Sequence, residues 1–265
     1  MREVYQQKID NLVGIIGATR TEIGSFRKRL ELMGKKRTGD GHFYWGRFAG
    51  KEVVVVESGM GCAQARNACV HLIDRFAPSA ICSFGFAGSV EETITSGQIL
   101  VATHFLRITD THTPTVKETY TLDEDLICIT SKILDKNDIP YKRGKLLTVP
   151  HFIFKRADRD RIRRELEVGG VEMEGAAIAG EATRRGIPVM ALRVISDDLG
   201  SREIDYGMLM QASGRISLTG LFRFALAHRR DLCEVLRFGN QAREFGRNLC
   251  EIQARIVEGI AIPGD

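Results

Sequence analysis

The stretch GVEMEGAAIAGEATRRGIPVMALRVISDD, residues 170–198, indicates the fold class of this chain. It opens as an extended segment with two carboxylates, continues from Glu174 to Arg185 as a helix built on small residues, and returns to an apolar strand at 187–196. A buried apolar strand beside a helix of small residues is typical of a sheet covered by closely packed helices. We therefore predict an α/β fold.

The same alternation of strands and helices runs toward the N-terminus. Apolar, β-rich runs predict strands at 11–17, 42–48, 52–58, 80–86, 97–106 and 144–149. Helical spacing predicts helices at 62–76 and 122–137 and a charged surface helix at 157–167. We expect residues 1–200 to form an α/β core, with a mixed central sheet flanked by helices on both faces.

Residues 201–265 are predicted to be a helical C-terminal extension that packs on the same domain. An apolar stripe at helical spacing comprises Leu232, Val235, Leu236, Ala242, Phe245, Leu249, Ile252 and Ile256. Most arginines of this region lie off the stripe, at 229, 230, 237, 243, 247 and 255. A basic helix of this kind fits peripheral contact with a membrane or an acidic partner. We favour a helix packed on the sheet or on a second subunit, with a solvated basic face.

Composition excludes several classes of protein. The 265 residues are 43% hydrophobic and 27% charged, which is a globular composition. A net charge of +4 is too small to indicate a nucleic-acid partner. The polar N-terminus and the short apolar runs predict neither a signal peptide nor a membrane span. The six cysteines and six histidines show no metal-ligand spacing, so we expect free thiols, no metal and a cytoplasmic location.

Three glycine-rich segments follow or end predicted strands. They are GIIGATRTE at 14–22, ESGMG at 57–61 and FGFAGS at 84–89. Glycine at a strand end is common for steric reasons alone. Because α/β folds bind ligands where strands end, three such turns in one chain favour a ligand pocket.

Carboxylates at two junctions are stronger signals. An extended backbone places Glu172 and Glu174 on one face and Met173 on the other. They are either a solvent-facing edge or, beside a closely packed helix, partly buried groups that need hydrogen bonds such as ligand hydroxyls supply. The strand at 187–196 ends in Asp197 and Asp198. We predict that Asp198 caps a turn, and we take Asp197 as a functional candidate.

Together these residues resemble the nucleoside phosphorylase family, and within it most the 5′-methylthioadenosine/S-adenosylhomocysteine nucleosidases. The resemblance covers roughly residues 12–200 and rests on GIIGATRTE, SGMG, GFAG, HFIF, VEMEGAAIA and RVISD in that order. It implies a mixed sheet with flanking helices and a homodimer or higher oligomer. It also implies a small-molecule nucleoside as substrate and neither metal nor organic cofactor.

The resemblance further implies roles for individual residues. Asp197 would protonate adenine at N7, and Glu22 would be the general base on the attacking water. Glu174 would bind the ribose hydroxyls and favour the positive charge that develops on the sugar. The other implied substrate-binding residues are Met60, Phe86, Phe152, Ile153, Met173, Arg193 and Ser196. Of these, Phe152 would flank adenine, the backbone at Ile153 would read the base edge, and Arg193 would hold the carboxylate network.

The sequence departs from the nucleosidase pattern at several positions. Phe86 stands where the nucleosidases usually carry a serine, and Thr19 where they usually carry an apolar residue. Phosphorylases hold phosphate with arginines in the first and third glycine segments, where this chain offers Arg20 and Ser83. The C-terminal region is more similar to hopanoid-associated phosphorylase-like proteins. Because Glu22 is present and the phosphate-binding set is incomplete, we expect an N-ribosyl hydrolase that releases adenine from a 5′-substituted adenosine. A purine nucleoside phosphorylase, a hopanoid-associated enzyme of the same fold and a non-catalytic nucleoside-binding protein are the alternatives.

Overall fold

The computed structural model describes residues 12–201, 203 and 232–260, and between 232 and 238 it describes the backbone alone. Within these residues the chain forms ten strands, which are β1 (Leu12–Gly17), β2 (Glu31–Thr38), β3 (Gly41–Phe48), β4 (Lys51–Glu57), β5 (Ala80–Ser89), β6 (Ile99–Arg107), β7 (Glu118–Thr121), β8 (Tyr141–Thr148), β9 (Gly170–Glu172) and β10 (Val189–Asp197). The described helices are α1 (Arg20–Arg27), α2 (Cys62–Phe76), α3 (Glu124–Lys136), α4 (Arg156–Glu165), α5 (Gly175–Arg184) and α6 (Leu232–Gly259).

The sheet is mixed and closes on itself at one side. Strand β1 is parallel to both β4 and β5, and β3 and then β2 extend the sheet beyond β4 in antiparallel fashion. On the other side, β5 pairs with β10, β10 with β6, β6 with β8, β8 with β9, and β9 with β5. These five pairings form a ring, so half of the sheet is a small barrel.

Helices pack on this sheet in two groups. Helix α6 contacts α1 and α3, and α2 contacts α5. The buried apolar side chains form one large core around the sheet and a smaller cluster under α4. The predicted fold class, a mixed sheet flanked by helices, is therefore confirmed.

Strand β2 was not predicted, and its sequence explains why. The segment ELMGKKRT is exposed along most of its length, with Leu32 51% and Met33 58% accessible. It has no buried face and therefore no alternation of polar and apolar residues. Its hydrogen bonds to β3 hold it in place.

The prediction that FGFAGS is a glycine-rich turn is wrong, because this segment is the second half of β5. The glycines serve a different purpose. A Cβ atom at Gly85 would lie 2.8 Å from Glu22 Oε1, and one at Gly88 would lie 3.1 Å from Asp197 Oδ2. Glycine at these two positions makes room beside the strand for two carboxylates.

Helix α6 buries part of the predicted apolar stripe. Leu249 and Ile256 are fully buried, and Phe245 and Ile252 are at most 9% exposed. The side chains of Leu232, Val235, Leu236 and Arg237 and all of Arg229 and Arg230 lie outside the described residues. The described arginines Arg243, Arg247 and Arg255 are matched by Glu244, Glu251 and Glu258. The described part of this helix is thus balanced in charge and not basic, which does not favour membrane contact there.

Candidate active site

Six strands end at the same edge of the sheet and surround a cleft. The pairs Gly17–Glu57, Thr148–Glu172 and Gly88–Asp197 are in register in parallel ladders, so their carboxyl ends meet there. The space between the lining side chains, including the part open to solvent, is about 900 Å³. Residues of five strands or their ends line it. Further lining residues come from α1, from α4 and the loop before it, from the turn before α2 and, at Ala242, from α6.

Glu22 enters the cleft from the first turn of α1. Its carboxylate accepts hydrogen bonds from the backbone N–H of Thr19 at 2.6 Å and of Phe86 at 3.1 Å. Thr19 is the N-cap of α1 and forms a capping box with Glu22, which gives a local reason for a threonine at this position. Burial raises the pKa of Glu22 above its ordinary value, against the opposing effects of these hydrogen bonds and of Arg193.

Glu172, the last residue of β9, is part of a buried ion pair behind the cleft. Arg193 donates to its Oε2 at 2.9 Å, and Thr148 donates to its Oε1. Arg193 also donates to the carbonyl and hydroxyl oxygens of Ser83. Among the predicted site residues, Arg193 is the one that does not line the cleft, and it acts instead on the carboxylates that do.

Glu174 lies where the chain passes from β9 into α5. Its Oε1 accepts from the backbone N–H of Gly61 at 2.6 Å, and Gly61 has a φ of +94° that favours glycine. Burial, followed by the nearby charges of Glu172 and Glu22, raises the pKa of Glu174 to about 8. Met173 lines the cleft as well, although an extended backbone would have pointed it away. That expectation is wrong because β9 ends at Glu172, before Met173.

Asp197 reaches the cleft from the end of β10 through a β-bulge. The register with β5 shifts between Ile195 and Asp197, and this shift leaves Ser196 as the extra residue. The Ser196 hydroxyl donates to Asp197 Oδ1 at 2.6 Å, and Arg159 forms an ion pair with Oδ2. Asp198 accepts from the backbone N–H of Ser96 and Gly200, as a turn cap does.

Arg159 is a site residue that the sequence analysis missed. Helix α4 was predicted to be a charged surface helix, yet Arg159 is only 5% exposed. Its guanidinium donates to the carbonyl of Ile153 from both Nε, at 3.1 Å, and Nη2, at 2.9 Å, in addition to its ion pair with Asp197. Two N–H groups of Arg159 thus meet that carbonyl, and the prediction that the backbone around Ile153 reads the base edge stays a prediction. Repeated arginines on a short helix carry no signal that separates a buried one from its neighbours.

Replacing Arg159 by methionine tests this ion pair. We expect Arg159→Met to lower the free energy of unfolding by about 3 kcal/mol, because Asp197 would keep its buried charge without a partner. Urea denaturation at pH 7.5 measures the change. The double variant Arg159→Met with Asp197→Asn should recover part of the loss, since no unpaired charge remains. An unchanged urea midpoint in the single variant would contradict the structural role.

The remaining predicted residues lie around the same cleft. Met60, Phe86, Phe152, Ile153 and Ser196 all line it. Phe86 faces the cleft from β5 while its backbone N–H holds Glu22. A serine hydroxyl at this position would add a donor, whereas the phenyl ring makes this side of the cleft apolar. The cleft thus combines an apolar lining with a few charged groups.

Two further observations concern the described residues. No three or more of their His, Cys, Asp and Glu side chains are grouped so as to hold a metal ion. None of the helices in these ranges is both long and apolar enough to cross a membrane. The described cysteines, at 62, 69, 82, 128 and 250, are free thiols.

The fold and the cleft define an α/β protein equipped for acid–base chemistry on a small polar molecule. Four carboxyl groups face or border the cleft, and two guanidiniums accompany them. The sequence of residues 12–217 matches the Phosphorylase superfamily. The chain belongs to this family.

Individual members of this family and solved structures of the same fold are similar to this chain. The chain is 31% identical over 196 residues to a 5′-methylthioadenosine/S-adenosylhomocysteine nucleosidase of Staphylococcus epidermidis, a match that covers 70% of this chain and 86% of the relative. Among solved structures, the nucleosidase of Neisseria meningitidis in complex with methylthio-immucillin-A superposes with a TM-score of 0.74 at 22% identity, over 94% of this chain and all of that one. Futalosine hydrolase of Helicobacter pylori gives 0.76 at 19% identity, over 95% and 99%. These two structures share the fold.

Proposed function

We propose that the protein is an N-ribosyl hydrolase that releases adenine from a 5′-substituted adenosine such as methylthioadenosine or S-adenosylhomocysteine. One observation carries the proposal. Glu22, Glu174 and Asp197 come from three separate places in the chain and line a single cleft. The curated relative from Staphylococcus epidermidis supports the substrate class.

Asp197 is the group that assists the departure of the base. Loss of an anionic purine is the difficult step, and a proton that the Asp197 carboxylate takes up from solvent and passes to N7 turns adenine into a neutral leaving group. Ser196 and Arg159 hold one oxygen of the carboxyl each, so its direction is set before substrate binds. Phe152 lies in the same cleft and can pack against the face of the base.

Glu174 acts on the sugar. As the glycosidic bond breaks, positive charge develops on the ribose, and a nearby carboxylate stabilises it. In the absence of substrate, Glu172 and Glu22 oppose the ionisation of Glu174. Ribose hydroxyls that donate hydrogen bonds to Glu174 favour its ionised form. Substrate binding thereby prepares the charge that the transition state needs.

Glu22 takes a proton from the attacking water. Its raised pKa makes it a stronger base than an exposed carboxylate. A phosphate nucleophile would instead require free positive charge in the cleft. Among the described lining residues Arg159 carries positive charge, and it is engaged by Asp197, while Arg20 is exposed outside the lining. Hydrolysis therefore fits the described residues better than phosphorolysis.

Release of free adenine tests the proposal. The purified protein is incubated with methylthioadenosine, S-adenosylhomocysteine and 5′-deoxyadenosine, with and without phosphate, and the base is quantified by chromatography. We expect release from at least one substrate at a rate independent of phosphate. Dependence on phosphate would identify a phosphorylase. Adenine binding without release from any substrate would refute the hydrolase and favour a nucleoside-binding protein.

The pH dependence of kcat/KM follows from the two raised pKa values. Glu22 and Glu174 must both be ionised, and protonation of Glu174 in the free enzyme sets in below about pH 8. We expect kcat/KM to fall by at least about tenfold per pH unit as the pH drops below 8. Measurement from pH 5.5 to 9.5 checks this. A plateau that extends down to pH 6 would contradict the raised pKa values.

The assembly and location of the protein are part of the same proposal. The sequence resemblance supports a homodimer or a higher homo-oligomer, and the free thiols support a reducing compartment such as the cytoplasm. Light scattering coupled to size-exclusion chromatography determines the oligomeric state. A monomer at micromolar concentration would refute that part of the proposal.

A further inference from the structure

Helix α6 is hydrogen-bonded to the elements of the active site at two places. The first is Gln253, which is fully buried within the apolar face of the helix. Its Nε2 donates to the backbone carbonyl of Glu22 at 2.8 Å, while its Oε1 has no partner among the described residues. A buried amide with half of its hydrogen bonds unmade is costly, so an apolar residue would serve packing better. The amide instead links α6 to the backbone of Glu22.

Gly246, two turns earlier on α6, brings the two backbones together. A Cβ atom at this position would lie 2.4 Å from the carbonyl oxygen of Thr21. Glycine in a helix interior is unfavourable, and here it permits direct contact with the first turn of α1. Gly239 lies on the same helix, and a Cβ atom there would meet none of the described residues within 4 Å. The close approach is therefore a property of position 246.

The second contact reaches the loop of Asp197. Gln241 Nε2 donates to Ser96 Oγ at 3.0 Å, and Ser96 Oγ donates to the carbonyl of Ser196 at 3.1 Å. Ala242, beside Gln241, lines the cleft. Gln241 and Gln253 are separated by about 18 Å along a continuous helix. Helix α6 is thus hydrogen-bonded to Glu22 on α1 and, through Ser96, to Ser196 beside Asp197.

We propose that α6 is a positioning element of the active site, which sets the place of Glu22 through Gly246 and Gln253 and that of Asp197 through Gln241. The inference rests on the proposed function. Glu22 owes its orientation to the N–H groups of Thr19 and Phe86, which lie on different elements. A shift of α1 relative to β5 lengthens one of these bonds. Since catalytic groups tolerate displacements of only about 0.5 Å, small movements of α6 reduce turnover.

A pair of identical substitutions on one helix tests the proposal. Gly246→Ala forces α6 away from Thr21, and Gly239→Ala is the matched control. We expect Gly246→Ala to lower kcat at least about tenfold with KM within about threefold, because the displaced group acts in the chemical step. The acid limb of its pH profile should move to higher pH, since the hydrogen bonds that lower the pKa of Glu22 are lengthened. Gly239→Ala should match the wild type in its kinetic constants and in its pH profile.

Gln253→Met keeps the volume of the side chain and removes the donor. We expect it to fold with unchanged or higher thermal stability and to show the same fall in kcat and the same shift of the pH profile. It tests the proposal even if Gly246→Ala does not fold. Wild-type kcat and pH profile in both folded variants would overturn the positioning role.

Hydrogen exchange separates this proposal from the proposed function. Amide exchange in the segment 18–27 should be faster in Gly246→Ala than in the wild type and unchanged in Gly239→Ala. A wild-type protein without hydrolase activity would refute the proposed function, while the exchange comparison would still test the contact between α6 and α1. Equal exchange in all three proteins would overturn that contact as a constraint on Glu22.

Discussion

Asp197→Asn is expected to lose about 10²–10⁴-fold in kcat while KM changes by only a few fold. The amide keeps the size of the side chain and its hydrogen bond with Ser196, but it has no acidic proton to deliver to the departing base. Binding therefore survives and the chemical step does not. Steady-state kinetics of adenine release, together with the affinity for adenine from calorimetry, measure both effects.

The neighbouring carboxylate is a matched control. Asp198 differs from Asp197 by one position and caps a turn through the N–H groups of Ser96 and Gly200. Because asparagine caps turns as well as aspartate does, Asp198→Asn should retain near-normal turnover. Comparable kcat values in the two variants would remove Asp197 from the acid role. A loss in the Asp198 variant alone would place the acid elsewhere.

Glu174→Gln is expected to reduce kcat/KM by about 10²–10³-fold, because the developing charge on the sugar would lose the carboxylate proposed to stabilise it. The same variant should be more stable than the wild type at alkaline pH. The pKa of Glu174 in the folded protein, about 8, lies above its ordinary value of 4.5. The stability that the protonated carboxyl contributes is complete below pH 4.5 and is lost as the pH rises through 8. The neutral amide avoids this loss.

Thermal unfolding at two pH values measures the stability effect. At pH 9 we expect Glu174→Gln to raise Tm by roughly 3–6 °C, and at pH 5 we expect little difference. Glu181→Gln on α5 is the control, because the pKa of Glu181 is shifted in the opposite direction. Its carboxylate is buried but accepts from Arg66, Arg184 and Arg185, and the arginines outweigh burial and hold the pKa of Glu181 below its ordinary value. That variant should lose stability at neutral pH and keep its turnover. A lower Tm for Glu174→Gln than for the wild type at pH 9 would contradict the prediction that ionisation of the buried Glu174 destabilises the protein.

Most of the secondary structure was predictable because it follows local periodicity. Helix α2 occupies the predicted residues 62–76, and β1, β3, β4, β6 and β10 follow the predicted apolar runs closely. Where a segment has no buried face, as in β2, periodicity carries no information. Glycines mislead in another way, since a glycine that accommodates a distant carboxylate looks the same in sequence as one in a turn. Gly85 and Gly88 are such glycines.

The sequence by itself determined the alternation of strands and helices, and it determined that carboxylates stand near the ends of strands, at Glu22, Glu174 and Asp197. These properties depend on neighbouring residues, whose spacing is visible in the chain. Only the tertiary structure decided that half of the sheet closes into a ring, that Arg159 is buried against Asp197, and that α6 lies on the backbone of Glu22. These contacts join residues 38 and 231 positions apart. Pairing over such distances depends on the packing of whole elements, which no local pattern encodes.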